Sequence, residues 1–242
     1  VAIQAGSEED TSFYEPLPKM KYPKDNPWSK EKEELGKMLY FDPRLSKSNW
    51  ISCATCHHPG LGWGDGLSTP IGHDFNRKGI RNSPTVINSG YFEVQFWDGR
   101  APSLEEQARG PIQAKIEMNE TPEGVVKKLK AIPGYVKRFN KVFGKEGVTF
   151  DNIVKAIATF ERSVVSKNAP YDKYMNGDKN AMSKSAVNGM KLFFGKAKCG
   201  ICHNGPVFTD SKFHNIGVKG DDLGRYKVTK KDSDKGAFKT PG

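Results

Sequence analysis

All four cysteines of this 242-residue chain fall in two copies of one pattern, Cys53-Ala-Thr-Cys56-His57 and Cys199-Gly-Ile-Cys202-His203. A C-x-x-C-H string lets two thiols add across the vinyl groups of a porphyrin while the adjoining imidazole reaches the iron, so it reads as covalent haem c attachment. A lone C-x-x-C also suits a redox dithiol or half of a four-cysteine zinc site. Neither alternative explains a histidine directly after the second cysteine both times, with no cysteine left over. Two covalent haems, held by Cys53, Cys56 and His57 and by Cys199, Cys202 and His203, therefore constrain any fold the chain adopts.

The surroundings of the two motifs repeat as well. Gly36-Lys-Met-Leu-Tyr-Phe41 precedes the first and Gly189-Met-Lys-Leu-Phe-Phe194 the second; Trp63-Gly-Asp65 and Phe208-Thr-Asp210 follow at nearly equal offsets. A shared frame of helix, attachment site and aromatic-x-Asp implies two copies of one small helical unit. Helix signals agree. Ser29 caps an apolar face of Leu35, Met38 and Leu39; Ser103 to Glu106 has the form of a capping box; Thr121-Pro122 opens a helix through Val125, Val126 and Leu129. Ile153, Ile157, Phe160 and Val164 recur at helical intervals over 150–165, and Ser183 opens another helix through Val187, Met190 and Phe194. No long alternating pattern competes, so the expectation is an all-α fold of two cytochrome c-like domains, each wrapped round one haem. The polar stretch 167–177 sets the expected boundary: residues 1–166, with a proline-bearing extended lead segment, then 167–242.

Composition narrows the class. With 14 Phe, 8 Tyr and 4 Trp the chain carries enough aromatic mass for a core, which excludes disorder throughout. No apolar run approaches the about 18 residues of a membrane span. The formal charge of +10 comes from scattered basic residues rather than a block, which favours a solvated face or steering of an acidic partner over nucleic-acid binding. The first residues, Val1-Ala-Ile, carry no initiator Met and read as an end from which a secretory signal has been removed. Haem c is attached outside the bacterial cytoplasmic membrane, so a periplasmic location is expected.

Between the motifs, Gly72-His73, Arg81-Asn-Ser-Pro-Thr-Val-Ile-Asn88, Gln95-Phe-Trp-Asp-Gly-Arg-Ala101, Glu106-Gln107, Gly110-Pro111 and Glu117-Met118 follow in order. This series resembles the bacterial di-haem cytochrome c peroxidases and their MauG-type relatives, from about Leu35 to Pro241. The resemblance implies an oxidoreductase that reduces hydrogen peroxide to water with electrons from a small cytochrome c or cupredoxin. It implies that His57 is the proximal ligand of a peroxidatic haem and that His73 is a distal ligand which must leave before peroxide binds. It makes Glu117 the acid/base, Gln107 a pocket amide, Phe96 a pocket wall and Trp97 an electron relay. His203 would hold the electron-accepting haem, while Asn82, with carbonyls near Thr240 and Pro241, would bind calcium. His58 and His214 match no ligand role. Family members are commonly dimers, which implies a homodimer. In the family the chain continues past the Phe238-to-Pro241 string, where a Met or, in MauG-type enzymes, a Tyr completes the second haem. The second domain is therefore read as truncated, and Met118, Met175, Met182 and Met190 do not match that ligand's place. The alternatives are a MauG-type oxidation of a partner protein and a plain di-haem electron carrier.

Overall fold

A computed structural model describes residues 15–76, 79 and 81–242. These divide into two compact units. The first holds Met20–Phe96 and Arg100–Val164; the second holds Val165–Gly242 together with Trp97–Gly99 and the described residues 15–19. Helices are the main regular elements of both, as an all-α reading expects, and the only strands among the described residues are Phe213–His214 (β1) and Phe238–Lys239 (β2), an antiparallel pair. No described helix is long and apolar enough to cross a membrane.

In the first unit the helices start where short polar side chains take up free backbone N–H groups. Ser29 accepts from the Lys32 N–H at the head of α1 (Lys30–Tyr40), and Ser103 from the Glu106 N–H at the head of α3 (Leu104–Gln113). The expected capping box at Ser103 forms by that half; the Glu106 carboxylate pairs with Arg109 instead. Thr121 caps α4 (Pro122–Lys130) and Thr149 caps α6 (Phe150–Glu161). The periodicity over 150–165 overruns the helix, because Ser163 and Val164 donate to the carbonyls of Phe160 and Glu161 in a tighter turn. Between α4 and α6 lies α5 (Pro133–Phe143), a helix the sequence reading did not assign.

Helices α1 and α6 form the centre of the first unit. Leu35 and Leu39 meet Ile153 and Ile157 with Phe139 and Leu129, all essentially sealed from solvent. Each such side chain contributes about 1.5–3 kcal/mol by leaving water. The two helices approach closely at Gly36, where a Cβ would lie 1.9 Å from the Ala156 carbonyl oxygen. The lead segment is tied to this core by polar groups. Buried Asn26 donates to Glu105 and to the Lys155 carbonyl, and Glu105 also receives both forks of Arg162 at 2.6 and 2.9 Å. Burial acts to raise the Glu105 carboxyl, but these donors outweigh it and hold the group below the usual carboxylate range.

The second unit contains α7 (Pro170–Met175), which lies inside the polar stretch that sets the expected boundary, α8 (Lys184–Phe194), capped by Ser183, and α9 (Tyr226–Thr229). Its aromatic side chains gather round Phe208, with Tyr171, Phe193 and Phe194 at centroid distances of 5.4 to 6.3 Å. The excursion Trp97–Gly99 is clamped within this unit. The Trp97 carbonyl accepts from the Lys239 N–H at 2.8 Å, and Arg225 donates to the carbonyls of Asp98 and Gly99 at 2.7 and 2.9 Å. Gly99 has φ +64° and no room for a Cβ against the Phe213 ring, so both its backbone and its packing require glycine.

Candidate haem and peroxide site

The first attachment motif is itself a short helix, α2 (Cys53–Cys56), and the His57 N–H closes it by donating to the Cys53 carbonyl. The Ser52 N–H donates to the Thr55 hydroxyl at 2.9 Å, which fixes the entry into the turn. Both thiols are half-buried, and burial pushes the Cys56 thiol up to about 12 and the Cys53 thiol further. The His57 ring nitrogen Nδ1 lies 2.9 Å from the Pro84 carbonyl, and the ring also meets the Trp63 backbone. A carbonyl only accepts, so Nδ1 carries the proton and Nε2 keeps its lone pair for a metal. Burial holds this imidazole below its ordinary range, which favours the neutral, ligating form. Tyr40, at the end of α1, donates its hydroxyl to the His57 carbonyl at 3.2 Å.

The second motif repeats this chemistry. The His203 N–H donates to the Cys199 carbonyl, and His203 Nδ1 faces the Phe208 carbonyl at 3.1 Å, again leaving Nε2 free. Trp63 and Phe208, the aromatic residues of the two aromatic-x-Asp strings, hold the same left-handed backbone at φ +62° and +55°. Each presents its backbone to the imidazole of its own motif, so the repeat in sequence is a repeat in the groups that orient the ligand. Paired thiols, a correctly protonated imidazole and this second layer of carbonyls fit covalently held haem c at both motifs.

Around the first motif, the predicted distal residues are drawn together by backbone bonds. The His73 N–H donates to the Glu117 carbonyl at 2.7 Å, and the His73 carbonyl accepts from Trp50 Nε1 at 2.7 Å. Gly72 lies so close to Ile116 that a Cβ would sit 2.3 Å from its carbonyl oxygen. Glu117 stands in the turn after α3, not on an exposed helix face. Burial raises its carboxyl above the usual range, with Arg100 pulling the other way, and its charge is felt at Cys56. Gln107 lies on α3 one turn before Gly110, and the Phe96 ring packs over that glycine. Arg100 stacks on Phe96, its guanidinium 3.5 Å from the ring centre. His73 Nε2 is met by Asn119 Nδ2 at 3.0 Å, a partner the sequence reading missed.

The remaining candidates belong to different units. Asn82, in the first, donates to the Leu67 carbonyl at 2.7 Å. Thr240, in the second, donates its N–H to the Lys212 carbonyl, and its own carbonyl accepts from the Thr209 hydroxyl at 2.7 Å; Pro241 is exposed. Trp97 sits in the clamped excursion of the second unit. His214 pairs with Asp210 at 2.7 Å, and together with Cys202 they make a tight group of potential metal-binding side chains, but Cys202 belongs to the second attachment motif.

Residues 30–180 match the family described as di-haem cytochrome c peroxidase. The methylamine utilization protein MauG of Methylorubrum extorquens is 48% identical over 91% of this chain and 63% of its own length. Cytochrome c551 peroxidase of Nitrosomonas europaea is 45% identical over 89% of this chain and 66% of its own. A crystal structure of a MauG-like protein associated with microbial copper homeostasis superposes with a TM-score of 0.86 at 29% identity, over 93% of this chain and 73% of that one. The chain thus spans about two thirds of the length of these curated relatives. Similarity of this breadth establishes that the chain belongs to the di-haem cytochrome c peroxidase family.

Proposed function

We propose that the protein reduces hydrogen peroxide to two waters, taking two protons and two electrons, the latter from a small periplasmic cytochrome c or cupredoxin. Bound haem supplies the iron that binds peroxide and the electrons that cleave its O–O bond. The chain supplies the rest. Glu117 takes the proton from one peroxide oxygen and returns it to the other; a carboxylate lifted by burial is suited to both directions. Gln107 offers an amide to the bound oxygen, and Phe96 with stacked Arg100 walls the pocket. His57, oriented by Pro84 and Trp63, would hold the iron of the first haem, and His73 would be a second ligand that leaves once electrons reach the haem held by His203. Trp97 relays those electrons.

The domain division at 166/167, calcium held by Asn82 with carbonyls at Thr240 and Pro241, a homodimer and periplasmic residence complete the reading. The observation that supports it is the direct backbone bond between the His73 and Glu117 segments, which is what a gate acting beside an acid/base requires. A MauG-type oxidation of a partner protein stays as second reading, supported by the 48% identity to a MauG. Glu117→Gln in the holoprotein tests the proposal: peroxide turnover should fall about 10²- to 10⁴-fold with the haem spectrum retained. Unchanged turnover would remove the acid/base role.

A further inference from the structure

The last residue of α6 carries a carboxyl that the peroxide chemistry does not use. Glu161 is 6% exposed, and its Oε2 meets no hydrogen-bond partner among the described residues. An ionised carboxylate is costly in such a place, so burial lifts the group, with Arg162 pulling the other way and Glu105 adding to the rise. Arg162 does not neutralise it, because both of its forks are on Glu105, at 2.6 and 2.9 Å. The same end of α6 packs beside the first attachment motif. The ring of Phe160, the residue before, lies 5.2 Å from that of Tyr40 and 6.0 Å from that of Trp63. Tyr40 donates to the His57 carbonyl, and the Trp63 backbone meets the His57 ring. The charge on Glu161 is felt at both Tyr40 and Cys53.

We propose that Glu161 is the redox-linked proton site of the first haem: reduction of that haem is accompanied by uptake of one proton on the Glu161 carboxylate. The inference rests on haem attachment at Cys53 and Cys56 and not on peroxide turnover. One electron from a small redox donor enters the iron, and one proton from solvent forms an O–H bond on Glu161. An added negative charge disfavours the carboxylate and leaves the carboxylic acid untouched, so proton affinity rises on reduction; by linkage the bound proton raises the potential by the same free energy. The other groups facing Glu161 do not titrate in its range. Cys53 carries no proton once its thioether has formed, burial raises the Tyr40 hydroxyl far above, and Glu105 is held low by donors that outweigh its burial. Helix α4 brings Val125 and Leu129 to the same core, and the turn Ser89–Tyr91 brings Tyr91, itself raised by burial.

The test compares wild-type holoprotein with Glu161→Gln, both haems attached and no peroxide present. Samples poised at stepped potentials between pH 6 and pH 10 are read by low-temperature electron paramagnetic resonance, which separates the first haem from the second. Glutamine keeps the shape of the side chain and removes its titration. Below about pH 8 Glu161 holds its proton in both redox states, so the two proteins should show the same pH slope. Above it the wild-type potential should fall relative to the variant by about 59 mV, the one-electron equivalent of a proton affinity about tenfold higher in the reduced state. A second readout needs no variant: the infrared difference spectrum of the wild type on reduction at pH 9 should gain a carboxylic acid C=O band that shifts in deuterium oxide. Equal pH slopes throughout, or no such band, would overturn the proposal. Neither result bears on peroxide turnover, which Glu117→Gln tests separately.

Discussion

Gly36 and Gly189 stand at the same place in the two sequence repeats, yet their surroundings demand opposite outcomes on substitution by alanine. On α1, a Cβ at Gly36 would lie 1.9 Å from the Ala156 carbonyl oxygen, 2.6 Å from its carbon and 2.9 Å from the Phe160 Cβ. An ordinary carbon-to-oxygen contact is about 3.3 Å, so α1 and α6 must separate by roughly 1.4 Å along that direction. The obstacle is helix backbone, which cannot rotate aside as a side chain can. Overpacking of this kind costs about 1–3 kcal/mol or somewhat more, against about 1 kcal/mol gained from replacing a helical glycine. A net loss of about 2 kcal/mol is expected for Gly36→Ala. At Gly189 on α8 nothing lies within 4 Å of the same Cβ, so Gly189→Ala should be neutral or stabilising by about 0.5–1 kcal/mol. Thermal unfolding of the holoprotein followed by circular dichroism reads both: Gly36→Ala should lower the midpoint of the first unit by about 4–8 °C. The effect has a functional edge, because α1 ends at Tyr40, whose hydroxyl holds the His57 carbonyl. If Gly36→Ala melts with wild type, the two helices are not in the backbone contact on which the reasoning depends.

Three further outcomes follow from the charged groups. The acid limb of kcat/KM for peroxide should lie above the ordinary glutamate range, because burial raises Glu117, and Glu117→Gln should abolish that limb; an unchanged limb in the variant would assign it to another group. Glu161 is sealed at the end of α6, its Oε2 meets no donor among the described residues, and burial pushes its carboxyl up to about 8. The native state then binds more protons than the unfolded state between the ordinary glutamate range and about pH 8, so this group's contribution to stability falls as pH rises through that window. Glu161→Gln should flatten the fall, and denaturant titrations at pH 5 and pH 9 showing equal slopes for both proteins would refute it. Tyr135 donates to the buried Asp42 carboxylate at 2.6 Å. Burial acts to raise Asp42, but Arg44 and Tyr135 outweigh it and hold the group low, so Tyr135→Phe should cost about 1.5–3 kcal/mol at neutral pH. That cost should shrink as pH falls through the native Asp42 pKa, and a pH-independent loss would point to packing instead.

Much of this was legible in the residues because the signals are local. The caps at Ser29, Ser103, Thr121 and Ser183 each act within three residues, and the attachment motifs bring thiols and imidazole together within five. The orienting groups were not legible, because the Pro84, Trp63 and Phe208 backbones act through atoms every residue possesses; only the repeated aromatic-x-Asp hinted at them. Helix α5 escaped although Pro133 starts it and Tyr135, Phe139 and Phe143 share a face, since its polar half masks the period. The placement of Trp97–Gly99 with the second unit depends on Arg225 and Lys239, far along the chain, and no local pattern encodes it. Asn119 has a similar excuse: its meaning arises only when the His73 turn is laid beside it.

The central claim is a peroxide-reducing site closed by His73 and opened by an electron on the other haem. The most direct measurement is peroxide-dependent oxidation of a reduced small cytochrome by the holoprotein with calcium present, fully oxidised in one case and half-reduced in the other. Turnover that starts only after half-reduction is the predicted result. Equal turnover from both states would contradict the gate, and no turnover from either would contradict the peroxidase.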